Sequence, residues 1–126
     1  MSNTIINTGQ APAPIGPYSQ AVLTGNLLFV SGQIAINPEN GELETSNIGE
    51  ETHRVMKNIG AILSEAGLHY DHVVKSTIFL SDMDLFTEVN KIYGSYFTDN
   101  FPARETVAVK ELPKKVRVEI SVIASK

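Results

Sequence analysis

Arg104 and Glu119 are the two side chains whose types and placement could do chemistry together. A guanidinium grips a carboxylate through two parallel N–H···O bonds, and a glutamate beside it can orient a water or take its proton. Arg104 opens a strand-like run, residues 104–110, and Glu119 lies within another, residues 116–123, with the Pro113-Lys114-Lys115 turn between them. If the two runs form an antiparallel hairpin turning near Leu112, paired positions sum to about 223, and Arg104 stands beside Glu119 on the face away from the helices. A one-residue slip would separate them. Arg117, two residues from Glu119 on the same strand face, offers a structural ion pair as the competing reading.

Other chemistries find less support. Without cysteine, thiolate metal sites, cysteine nucleophiles and disulfide frameworks are excluded. His69-Tyr70-Asp71-His72 has a metal-ligand spacing and Asp82-Met83-Asp84 an oxygen-rich one. The first falls in a polar connection and the second where a helix needs its N-cap, so no metal site is expected. His53 reads as solvent-facing. No glycine-rich phosphate pattern occurs, and Ser19, Ser31 and Thr106 have no histidine placed beside them as a base. Lys114, Lys115 and Arg117 read as a solvated turn rather than a binding patch.

The elements that must position Arg104 and Glu119 follow from hydrophobic spacing. At 126 residues, 42% hydrophobic and 19% charged, the chain fits one compact soluble domain, residues 1–126, folding without metal or disulfide. A proline-rich lead-in over 10–17 precedes two strand-like runs, 19–24 and 27–36, separated by Gly25-Asn26. Val55, Met56, Ile59, Ile62, Leu63 and Ala66 form the stripe of an amphipathic helix over 48–66, with Gly67 placed to end it. A strand over 73–80 and a second helix over 85–97, capped by Asp82 or Asp84, precede the last two strands. The order ββαβαββ argues an α+β domain, two helices packed on one face of a mixed sheet. The other face must then be solvated or covered by another subunit.

Ten Lys and Arg against fourteen Asp and Glu leave a formal charge of −4, which disfavours nucleic acid and anionic lipid as partners. No apolar run approaches the roughly 18–20 residues that span a bilayer. The first residues carry neither a basic region nor a cleavable hydrophobic stretch, so the cytoplasm is the expected compartment.

Several segments, taken in order, carry a resemblance: Ala13-Pro14-Ile15-Gly16-Pro17-Tyr18-Ser19-Gln20, Val30-Ser31-Gly32-Gln33-Ile34, Phe86-x-x-Val89-Asn90-x-x-Tyr93, Phe101-Pro102-Ala103-Arg104, and Leu112-Pro113-Lys114 followed by Val118-Glu119-Ile120. Over nearly its whole length the chain resembles the RidA, or YjgF-type, reactive-intermediate imine deaminases. The resemblance implies a chorismate-mutase-like fold assembled as a homotrimer, the free sheet face lying in the trimer interface and the clefts between subunits. It also implies cofactor-free hydrolysis of 2-imino acids, such as 2-iminopropanoate and 2-iminobutanoate, to 2-oxo acids and ammonia. Such imines are released by pyridoxal-phosphate enzymes, threonine dehydratase among them.

Within that resemblance Arg104 binds the substrate carboxylate and Glu119 orients or activates water, while Tyr18, Ser31, Gly32 and Asn90 line or support the cleft. Gly32 lets backbone approach the ligand closely, because glycine lacks a Cβ. Many active relatives carry cysteine two positions after the motif arginine; here it is Thr106, which offers a backbone N–H and a hydroxyl to substrate but no thiol. Two other readings stand beside the enzyme: a non-catalytic module binding a small carboxylate, and an RNA-directed ribonuclease or translation inhibitor, a role attributed to some relatives.

Overall fold

From Val118 to Ala124 every second residue is apolar, a period-two pattern that buries one side of a strand. In the computed structural model, which describes residues 3–126, this strand is β6 (Val118–Ser125), and Val118, Ile120, Val122 and Ala124 are all at most 3% exposed. The preceding strands are β1 (Thr4–Ile6), β2 (Ala21–Thr24), β3 (Leu27–Gln33), β4 (Val73–Leu80) and β5 (Ala103–Ala108). They form one six-stranded sheet in the order β1-β2-β3-β6-β4-β5. The expected ββαβαββ order holds for β2 through β6, with β1 added in antiparallel pairing on β2. Three residues are too few for a hydrophobic period to register.

The helices α1 (Ile48–Glu65) and α2 (Phe86–Gly94) cover one face of the sheet. Asn47 caps α1 by accepting from Glu50 N–H, and Gly67 takes the left-handed conformation after its end. Val55, Met56, Ile59, Ile62 and Leu63 of α1 meet the buried side of β6, and Val89 and Tyr93 of α2 complete the core. Asp82 caps a short turn of 3-10 helix, Met83–Leu85, that leads into α2 rather than capping α2 itself. No helix of the described residues is long and apolar enough to cross a membrane.

The expected hairpin of the last two strands does not form. β5 pairs parallel with β4, and β6 inserts between β3 and β4, antiparallel to both. The reason lies in burial: β6 has a fully apolar inner side and is best buried with neighbours along both edges, whereas β5 is half exposed along its length and stays at the rim.

Glu51, in the first turn of α1, is fully buried. Its carboxylate accepts from Arg117 N–H and Nε–H, both at 2.7 Å, and from Val118 N–H at 3.2 Å, while Arg117 Nη2 donates to Thr45 O. This clamp ties the start of α1 to the start of β6. Replacing Glu51 with alanine strands these donors and is expected to cost about 3 kcal/mol, toward the low end for a broken buried pair because Arg117 stays 36% exposed. Urea unfolding measures it, and a loss below about 1 kcal/mol would show the clamp to be incidental.

Candidate active site

Strand parity decides where each candidate side chain points. Arg104 pairs with Ser76 of β4, a fully buried position, so it lies on the helix-covered face. Glu119 pairs with Phe79 on the opposite parity and lies on the free face. With β4 between their strands, the two backbones are about 10 Å apart by strand spacing alone. The sequence-based expectation that they meet on one face of one chain is therefore overturned. The difference has a physical source: the free face is apolar too, carrying Val107 of β5 at 44% exposure and, on strands farther across the sheet, Phe29, Leu27 and Ile5 at 40–58%, so apolar character does not mark which side of β5 meets the helices.

The Arg104 cleft, about 440 Å³, is lined by Asn90, Lys91, Tyr93, Gly94, Phe101, Pro102 and Arg104. Arg104 Nη1 donates to Asn90 Oδ1 at 2.5 Å, and the guanidinium carbon sits 5.2 Å from the Tyr93 ring centroid and 5.6 Å from that of Phe86. One helix turn separates Phe86, Asn90 and Tyr93, which puts all three on the side of α2 that faces β5. Tyr93 donates its hydroxyl to Ser76 Oγ at 2.8 Å; burial pushes its pKa up, against the smaller opposing pulls of that bond and of Arg104. Among the described residues Arg104 makes no ion pair, so its remaining donors are open to an incoming anion. Thr106, two residues on, shares this side of β5, and its buried hydroxyl has no hydrogen-bond partner among the described residues.

The second cleft gathers Ile15, Tyr18, Ser31, Gly32, Pro113 and Glu119. Glu119 is held by no ion pair among the described residues, since Arg117 is committed to Glu51, and burial raises its carboxyl pKa above the ordinary value. Ser31 donates its hydroxyl to Ser19 O at 2.6 Å, which removes it as a nucleophile but anchors β3. Tyr18 Oη accepts from Ile15 N–H, leaving its own hydrogen free to donate. Ser31 and Gly32 occupy an irregularity of the β3–β6 pairing between Val30 and Gln33, a bulge beside the cleft.

Sequence reasoning placed Tyr18, Ser31, Gly32, Asn90, Arg104, Thr106 and Glu119 in a single cleft. Within one chain they divide: Tyr18, Ser31, Gly32 and Glu119 line one cleft, Asn90 and Arg104 the other, and Thr106 shares the Arg104 side of β5. The sequence reading missed Phe86, Tyr93 and Phe101 as the walls around Arg104 and Ile15 and Pro113 as the walls around Glu119. The i, i+4, i+7 spacing of Phe86, Asn90 and Tyr93 was the available signal. His69 and His72 make a local cap, His69 N–H donating to His72 Nδ1, and no group of three or more His, Asp or Glu among the described residues is placed to hold a metal ion.

Residues 8–126 match the family described as endoribonuclease L-PSP. The human 2-iminobutanoate/2-iminopropanoate deaminase is 46% identical over 120 residues, covering 95% of this chain and 88% of the human protein. Among solved structures, a protein of the conserved Rid family from Yersinia pestis superposes with a TM-score of 0.96 at 47% identity, covering 99% of this chain and 100% of that one. E. coli TdcF, solved with bound serine, superposes with a TM-score of 0.93 at 36% identity, with 98% of each chain covered.

Proposed function

The chain belongs to the endoribonuclease L-PSP family, that of the YjgF and RidA proteins, and on that premise we propose that it hydrolyses small 2-imino acids, such as 2-iminopropanoate and 2-iminobutanoate, to 2-oxo acids and ammonia without a cofactor. The observation that carries this reading is that each chain offers both an arginine with open donors, oriented by Asn90, and, on the other face of the sheet, a partly desolvated glutamate with no ion pair among the described residues. The deaminase relative and the serine held by a structural neighbour support a small amino-acid-like carboxylate as the guest.

The two clefts face different ways, so one copy holds half a site. The proposed site joins the Arg104 cleft of one subunit to Glu119 of the partner subunit. Such a heterologous contact, repeated, closes a ring, and three copies is the closure the resemblance implies. The apolar side chains on the free sheet face supply surface to bury between subunits.

In this arrangement Arg104 takes the substrate carboxylate in a two-bond grip, with Asn90 and the Tyr93 ring setting the plane of the guanidinium. Thr106 supplies its backbone N–H and its unpartnered hydroxyl to the same end of the substrate. Tyr18, Ser31 and Gly32 frame the water side. Glu119 holds a water against C2 of the imine; the water oxygen bonds to C2 while the C=N π electrons move onto nitrogen. Glu119 takes one proton of the water and returns it to nitrogen, giving a carbinolamine; it then carries the remaining hydroxyl proton to the amino nitrogen as the C–N bond breaks and the C=O bond forms, so that ammonia leaves a 2-oxo acid.

The test generates 2-iminobutanoate with a threonine dehydratase and follows 2-oxobutanoate release. Wild type is expected to accelerate release, and Arg104→Ala to lower kcat/KM about 100-fold, the worth of a lost charge-assisted pair of hydrogen bonds. Equal acceleration by both proteins would remove Arg104 from its role. Single-stranded RNA incubated with the same preparation is expected to remain intact. Cleavage of it without imine turnover would favour the ribonuclease reading.

A further inference from the structure

We propose that Gly32 is a positioning residue: the space left by its missing side chain is the seat of the Glu119 carboxyl group. The inference rests on the deaminase reading for its kinetic consequence, but its geometry stands by itself. A Cβ placed on Gly32 would fall 2.9 Å from Glu119 Cδ and 3.1 Å from Cγ, and nearer still to Oε2. No real methyl group tolerates such an approach, so either the strand or the carboxyl must move.

Backbone conformation does not require glycine at this position. The left-handed glycines of the chain are Gly25, Gly41 and Gly67, and Gly32 is not among them. Alanine would therefore fit the backbone, and the three heavy atoms nearest its methyl group would all belong to the Glu119 side chain. The strand, in turn, is pinned on both sides of the bulge. Ser31 N–H donates to Gln20 O at 2.9 Å, the Ser31 hydroxyl holds Ser19 O, and Gln33 pairs with Ile120. What can yield is the far end of the Glu119 side chain.

This reassigns the reason for glycine in the Ser31-Gly32 bulge. The sequence reading gave Gly32 to the ligand, as a point of close backbone approach; the structure gives it to a neighbouring side chain of the same chain. The seat also sets the surroundings of the carboxyl, since burial there is what raises its pKa, and among the described residues Tyr18 is the only other residue with an ionisable side chain lining that cleft. An alanine at 32 would push the carboxyl off the line to the imine carbon while leaving the Arg104 grip intact.

The experiment uses the assembled protein. A crystal structure of Gly32→Ala is expected to show the Glu119 carboxyl displaced by about an ångström or more, with the β3 and β6 backbones in place. A shift of that size in a reacting group typically costs about 100-fold in rate. The expected kinetic signature is a fall in kcat of that order with KM unchanged. The double variant Gly32→Ala/Glu119→Gln is expected to be no slower than Glu119→Gln alone, because both changes remove one function. Multiplying losses would overturn the proposal, as would an unmoved carboxyl. Should Gly32→Ala prove unstable, the Glu119→Ala background is expected to restore its thermal midpoint to that of Glu119→Ala; no restoration would place the clash elsewhere and overturn the proposal. A wild type without imine hydrolysis would sink the deaminase reading, while the crystallographic displacement would still decide the seat.

Discussion

Co-expressing Arg104→Ala and Glu119→Gln chains in equal amounts is expected to return imine hydrolysis to about a quarter of the wild-type level, although each variant alone is nearly inactive. The expectation follows from strand parity. Arg104 and Glu119 lie on opposite faces of the same sheet, with β4 between their strands. If they serve one substrate, they must come from two copies. A site is then intact when one neighbour contributes the native arginine and the other the native glutamate. With random assembly about one site in four meets both conditions. A site confined to one chain would gain nothing from mixing, because every chain in the mixture carries a defect. Failure of the mixture to exceed the summed activities of the separate variants, with mixed assembly verified by mass, would therefore sink the shared site.

Glu119→Gln alone is expected to lower kcat by about 10²–10⁴-fold, the range for losing a positioned general base, with KM little changed because Arg104 still holds the carboxylate. The pH profile gives the more specific signature. Burial raises the Glu119 carboxyl above its ordinary 4.5, so the ionised, proton-accepting form is populated only as pH climbs through the raised value. The wild-type kcat should rise over that interval, and the limb should vanish in Glu119→Gln. Linkage sets the sign for stability. The folded chain binds this proton more tightly than the unfolded chain. The contribution to stability is therefore full below about 4.5 and is lost as pH rises through the folded value. Glutamine, which stays neutral, should flatten that part of the stability curve. An acid limb that persists unchanged in Glu119→Gln would assign the titration to another group.

Much of the fold was legible because its signals are local. The stripe from Val55 to Leu63 is a helix by spacing alone, and Gly67 closes it in the left-handed conformation expected of it. The alternation in β6 announced one buried side, and all four inward residues are buried. The partner of β5 was not legible. Two strand-like runs joined by a short turn read as a hairpin, yet the intervening residues carry the chain past β4, and β5 pairs parallel to β4 after the α2 crossover. Nothing in residues 104–123 records that choice; it depends on the competition among all the strands for places beside β6.

The same limit shaped the site. Residue types and short spacings in the sequence determined which groups could do chemistry: an arginine to hold an anion, a glutamate to manage a water, and a glycine where something must come close. Period-two alternation also determined that Arg104 and Thr106 share one side of their strand and that Glu119 lies opposite Val118 and Ile120. Which of the two sides meets the helices was decided only by the tertiary structure. A strand has two faces by covalent geometry, but their environments are assigned by neighbours far away in the chain, and here both faces of β5 offer apolar residues. Arg104 turned out to lean on α2 and Glu119 to occupy the space above Gly32, an arrangement that only packed coordinates could reveal.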